Sequence, residues 1–248
     1  MTLVTDYASR FTFGRMIRAV IFDIDGTMLD HKGAQRAGLI KLHGMLEVAQ
    51  RVSADEFVAI WRQEADRYWE QYQAGKITFV QQRILRVKAV FDRLGAYASD
   101  ETAMRVFWAY LAEYERSWKL YDDVLPCLES LGEYTLAVIS NGDSGQQRRK
   151  LEKTGIAPYF SSVVISGDLG IAKPDPGIFE RSLQELGVLA EEAVYIGDRL
   201  EGDALGAKGV GMQAIWLARE GYAGDPADIP VPIIHSLSQV AKIVAELE

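Results

Sequence analysis

Cysteine is nearly absent: Cys127 is the only one in 248 residues. A lone thiol forms no intrachain disulfide, and the three histidines beside it do not complete a zinc cluster of usual spacing. These shortages point to a reducing, cytoplasmic compartment. Long apolar runs are missing too. No stretch approaches the roughly 18 uninterrupted apolar residues that a spanning helix needs, so no membrane partner is expected. Basic charge is in the minority, with 27 Lys and Arg against 35 Asp and Glu and a net charge of −8. A surface of that sign repels phosphate backbones and argues against nucleic acid as a partner. Residues 1–15 carry Asp6 and no apolar stretch of a secretory signal, and they read as an N-terminal tail.

What remains is 48% hydrophobic and 25% charged, the mix of a globular protein, which excludes wholesale disorder. Short apolar runs recur at Ala19–Phe22, Leu136–Ile139, Val163–Ile165, Val194–Ile196 and Ala214–Leu217. They show little polar alternation, as strands buried on both faces of a parallel sheet do. Helical patterns lie between and after them, at about 144–154, 176–187, 199–208 and 237–247. The alternation predicts a doubly wound α/β fold.

Between residues 31 and 120 the alternation stops and the pattern is helical throughout. Phe57, Trp61, Tyr68 and Tyr72 make one apolar stripe, Val80, Ile84, Val87, Phe91 and Leu94 a second, and Met104, Phe107, Leu111, Tyr114 and Trp118 a third. Such stripes must be buried against one another. Four of the five tryptophans fall here, and the reading is that most of them form the core of this bundle. The expected division is a tail of residues 1–15, an α/β core domain of 16–30 and 122–248, and an inserted helical domain of 31–121.

The chemistry gathers at strand ends. The first strand runs into Asp23-Ile24-Asp25-Gly26-Thr27, where two carboxylates two residues apart leave an extended chain on the same side. Side by side and buried they repel, unless a hard, oxygen-seeking cation such as Mg²⁺ lies between them. The second strand ends in Ser140-Asn141-Gly142, Lys173-Pro174 precedes a helix, and the fourth strand ends in Gly197-Asp198 with Asp203 shortly after. In doubly wound sheets ligands bind beyond the carboxyl ends of the strands, where all four segments arrive. Singly, each has a structural explanation: Ser140 or Asp198 as a helix cap, Lys173 as a solvated charge.

This ordered set resembles the haloacid dehalogenase superfamily, in its phosphatase-like branch with a helical cap. The resemblance spans about residues 18 to 240. It implies that Asp23 attacks phosphorus to form an aspartyl-phosphate, and that Asp25 is the general acid and base. It also implies that Thr27, Ser140, Asn141 and Lys173 bind the phosphoryl group. Mg²⁺ is then held by Asp23, the backbone carbonyl of Asp25, Asp198 and Asp203, the last directly or through a neighbour, and the substrate is a small phosphate ester. Halide-removing members lack an acid at the position of Asp25. A phosphomutase of the same family, a receiver-like phosphoacceptor module and a binding protein with an inactive site stay open as alternatives. The family's cap closes over its active site, and Trp61, Trp69 and Arg62 are the cap side chains proposed to reach the leaving group. His31 reads as a solvated loop histidine, and Cys127 as a small core residue.

Overall fold

The computed structural model describes residues 16–247; the expected tail lies outside them. Six strands form one sheet: β1 Ala19–Phe22, β2 Thr135–Ser140, β3 Ser162–Ile165, β4 Ala193–Gly197, β5 Gln213–Leu217 and β6 Ile233–Ile234. Their order is β3-β2-β1-β4-β5-β6, and every pairing is parallel. The α/β class read from the sequence is therefore observed. β1 and β4 are buried at every position, which explains why those runs lack polar alternation. β6 escaped the sequence reading because two residues carry no periodicity.

Phe22 pairs with Val138 of β2 and with Ile196 of β4. That register brings the residues just past β1, β2 and β4 to one edge of the sheet. The chain runs from β1 to β2 on one side and later to β4 on the other, so β1 and β4 flank the point where strand order reverses.

By compactness the chain divides into two units. One holds the residues up to Leu29 and from Leu120 onward, the other Asp30–Lys119. The second contains α1 His31–Met45, α2 Ala54–Gln73, α3 Phe79–Arg93 and α4 Asp100–Arg116. Asp30, Ser53, Thr78 and Ser99 cap the four, each accepting a hydrogen bond from the backbone N–H three residues on. Thr78 and Gln81 complete a reciprocal capping box. α1 packs on α4, and α2 on α3.

The three apolar stripes fall on α2, α3 and α4, with Leu94 and Trp118 just beyond the ends of α3 and α4, and Val80 exposed rather than buried. α1 had no large stripe to betray it, because its buried face is Ala34, Gly38, Leu39 and Leu42. A Cβ on Gly38 would sit 2.8 Å from the Tyr114 backbone nitrogen, so small residues here let α1 approach α4 closely. Of the four tryptophans, Trp61 and Trp118 are buried, Trp69 is half-buried, and Trp108 is exposed. The placement of Trp61 as a leaving-group contact is corrected, since its ring is enclosed between Phe57 and Tyr110. Arg62 donates to Gln35 and to the Lys32 carbonyl, tying α2 to α1. His31 is not a loop residue: it opens α1, with Nδ1 2.8 Å from the Tyr114 hydroxyl.

The α/β unit supplies α5 Val124–Ser130, α6 Ser144–Lys153, α7 Ser166–Leu169, α8 Pro176–Leu186, α9 Gly206–Gly209 and α10 Val240–Glu246. The helix expected at 199–208 is a π-helical turn, Leu200–Leu205, that passes into the short α9. This wide turn leaves Asp203 free to fold back and accept from the Arg199 N–H at 3.0 Å. Cys127 is buried in α5, and burial pushes its thiol up to about 12, so it carries no reactive thiolate. No described helix is long and apolar enough to cross a membrane.

Candidate active site

Asp23 is the first residue beyond β1, and its backbone N–H still donates to the Ile196 carbonyl, which fixes its position against β4. Its carboxylate is buried, with Lys173 Nζ 2.7 Å from Oδ1 and the Ser140 hydroxyl 3.3 Å from the same oxygen. Thr27 Oγ1 lies 3.5 Å from both Asp23 Oδ2 and Asp198 Oδ1. Gly26 makes the turn with φ +85°, and a Cβ there would come within 2.3 Å of Asp198 Oδ2. Only glycine satisfies both demands.

Lys173 is buried at the centre of the cluster. Its ammonium reaches Asp23, Asp203 Oδ1 at 2.6 Å, the Tyr195 hydroxyl at 2.8 Å and the Ile139 carbonyl at 3.1 Å. Burial alone would lower its pKa, but Asp203 and Asp23 raise it above the ordinary lysine value. Lys173 is therefore a fixed positive charge. Its loop is held from β2: the Asn141 carboxamide accepts from the Lys173 N–H at 2.8 Å and donates to the Lys173 carbonyl at 3.0 Å. The Asn141 side chain, expected to bind phosphoryl oxygens, thus spends both of its polar atoms on this loop.

Asp23, Asp198 and Asp203 each offer an oxygen within 4.8 Å of the others. Burial, reinforced by Asp203, pushes Asp23 up to about 6 despite Lys173. Burial, with Asp23 and Asp203 beside it, pushes Asp198 up to about 8. Three carboxylates face one ammonium, which leaves an excess of two negative charges when all are ionised. An all-oxygen donor set with that excess fits a hard divalent cation such as Mg²⁺. Asp203 is also engaged by Lys173, by the Arg199 N–H and by the Tyr195 hydroxyl at 3.2 Å. The Asp25 carboxylate stands apart from this group, paired instead with Lys150 of α6.

Four contributors were missed by the sequence reading. Tyr195 looked like one more apolar member of β4; its signal was a phenol in a buried strand, where the hydroxyl must find a partner. Gln147 and Lys150 looked like surface residues of an ordinary helix, and nothing in sequence marks them. Arg219 braces the turn after β1, donating to the Thr27 carbonyl at 2.7 Å and to both oxygens of Asp123 at 2.9 Å, with its guanidinium 3.9 Å from the Tyr121 ring centre.

A family model described as haloacid dehalogenase-like hydrolase matches residues 17–211. Among curated relatives, glyceraldehyde 3-phosphate phosphatase of Methanopyrus kandleri is 30% identical over 239 residues, covering 94% of this chain and 99% of its own. Human N-acylneuraminate-9-phosphatase is 27% identical and covers 94% of each chain. Among solved structures, the magnesium-bound HAD-hydrolase YfnB of Bacillus subtilis matches with a TM-score of 0.78 at 24% identity, over 92% of this chain and 99% of that one. A 2-haloacid dehalogenase of Pseudomonas syringae matches with a TM-score of 0.67 at 31% identity, over 94% and 100%.

Proposed function

The chain belongs to the haloacid dehalogenase-like hydrolases and is a phosphoric monoester hydrolase of that family; we propose that it cleaves small phosphate esters through an aspartyl-phosphate on Asp23, with Mg²⁺ as cofactor. The observation that carries this reading is the buried Asp23, held at one oxygen by Lys173 and Ser140 within a carboxylate cluster of excess negative charge.

Asp23 attacks phosphorus as the bond to the leaving oxygen breaks, and Asp25 gives that oxygen its proton. Water then attacks the acyl phosphate, Asp25 takes the water's proton, and inorganic phosphate leaves with Asp23 restored. Lys173 and the Ser140 hydroxyl stabilise the phosphoryl oxygens while charge redistributes. Thr27 steadies the turn that carries both acids. Asn141 acts on the phosphoryl group through its backbone N–H, its side chain serving the Lys173 loop. Asp23, Asp198 and the Asp25 backbone carbonyl would hold Mg²⁺, while Asp203 orients Lys173 and completes the cluster. When bound, Mg²⁺ supplies two positive charges against the carboxylates and the phosphoryl oxygens.

Similarity to a haloacid dehalogenase does not change the choice of chemistry. A carboxylate at Asp25 supplies the leaving-group acid an ester needs and a departing halide does not. The phosphoryl-binding residues named here meet only what all such esters share, so the helical unit is proposed to select among them. The lone buried Cys127 supports a cytoplasmic protein.

The test is phosphate release from a panel of sugar, nucleoside and glycolate-type esters with Mg²⁺ and with chelator. Metal-dependent release, with Asp23→Asn inactive, is the expected result. No release from any ester, or release that survives thorough chelation, overturns the proposal.

A further inference from the structure

Lysine is among the residue types least often buried, yet in α6 the side chain of Lys150 is only 2% exposed. Its ammonium donates to both oxygens of Asp25, at 2.7 and 2.6 Å. Gln147 lies one turn earlier, so the two share a helix face. Its Nε2 donates to Asp25 Oδ2 at 3.0 Å, to the Ser140 hydroxyl at 2.7 Å and to the Asn141 carbonyl at 3.2 Å. Because Ser140 accepts from Gln147, its own proton is directed to Asp23 Oδ1 at 3.3 Å. One carboxamide thus links the acid–base residue to the hydroxyl at the nucleophile. The Gln147 Oε1 atom is buried with no partner among the described residues.

We propose that Lys150 and Gln147 are positioning residues for catalysis, Lys150 by holding both oxygens of Asp25 and Gln147 by joining Asp25 to Ser140. The proposal rests on the phosphatase reading above. A carboxylate held by donors from one rigid helix face keeps a narrow set of orientations, and proton transfer to a leaving oxygen depends on orientation. Without Lys150, Asp25 keeps its carboxyl group but loses the donor that fixes its orientation. The loss must then grow with the leaving group's need for a proton. Gln147 touches both Asp25 and Ser140, so its removal affects every ester and the demanding ones more.

The experiment measures kcat/KM, which reports on steps up to the first irreversible one, for an alkyl phosphate and for nitrophenyl phosphate at saturating Mg²⁺. Lys150→Met keeps most of the buried stem and removes the charge. The expected result is a loss on the order of 10–100-fold for the alkyl ester and a several-fold smaller loss for the nitrophenyl ester. Lys150→Arg should recover part of the alkyl rate, and the half-saturating Mg²⁺ concentration should stay unchanged. Gln147→Leu is the second variant, and it carries the test if Lys150→Met does not fold; it should lower both rates with the alkyl ester hit harder. Equal losses on the two esters, or none, overturn the inference while leaving the phosphatase reading intact. Wild-type protein that hydrolyses neither these nor any other ester overturns both.

Discussion

Both units bury charge, and they do so in opposite ways. In the helical unit the buried cation Arg86 hydrogen-bonds the neutral, buried Gln82, and burial pulls its pKa down to about 10. Its guanidinium packs 5.5 Å from the Phe107 ring centre, with Arg83 over the same ring at 5.0 Å. In the α/β unit three carboxylates share one lysine, and burial with mutual repulsion pushes Asp198 up to about 8. The first arrangement resembles ordinary core construction around a polar stem. The second crowds like charges, the condition that the proposed Mg²⁺ would relieve.

The largest effect should come from touching the second arrangement. Asp23→Asn is expected to abolish turnover with every ester while raising the melting temperature of the metal-free protein, because it removes one of three crowded charges. A fall in melting temperature would break the contrast between the units. The helical unit should respond in the opposite sense. Trp61→Ala empties the fully buried space between Phe57 and Tyr110 and should lower stability by about 3–5 kcal/mol, measured by denaturant unfolding.

A pH series sharpens the comparison. Asp23 and Asp198 are pushed up to about 6 and about 8, so the folded, metal-free protein holds protons that the unfolded chain releases nearer pH 4. Stability in chelator should therefore fall as pH rises from about 4 to about 8 and level off above. Mg²⁺ should restore most of the loss at pH 8, and Asp198→Asn should flatten the slope. A melting temperature that is constant across that window would contradict the crowding. The smallest effect belongs to a helix end with no charge conflict. Thr78→Ala removes the capping box of α3 and should cost about 1 kcal/mol in unfolding free energy with no change in Mg²⁺ affinity.

The contrast also shows what was legible beforehand. Asp23, Asp25, Ser140, Lys173 and Asp198 could be named because each follows a strand or precedes a helix at a point where the pattern changes. The stripes of α2, α3 and α4 were legible because bulky apolar residues repeat every three or four positions. α1 was hidden by its small buried residues, and the π-helical turn by its helix-like composition. Gln147 and Lys150 were hidden because a helical pattern gives their neighbours along the helix and not the strand end their face meets. His31 was misread for the same reason, its partner Tyr114 lying 83 residues away.

Sequence alone thus determined the parallel α/β class, the helical insertion and the residue types that gather at the sheet's carboxyl edge, because strand burial, helix periodicity and glycine turns are local properties. The tertiary structure decided which groups meet there. It put Lys173 between Asp23 and Asp203, gave Asn141 to the Lys173 loop, and turned Asp25 toward Lys150 and Gln147. Electrostatic coupling falls with distance through space, and distance between remote segments is set only when the sheet register and helix packing bring them together.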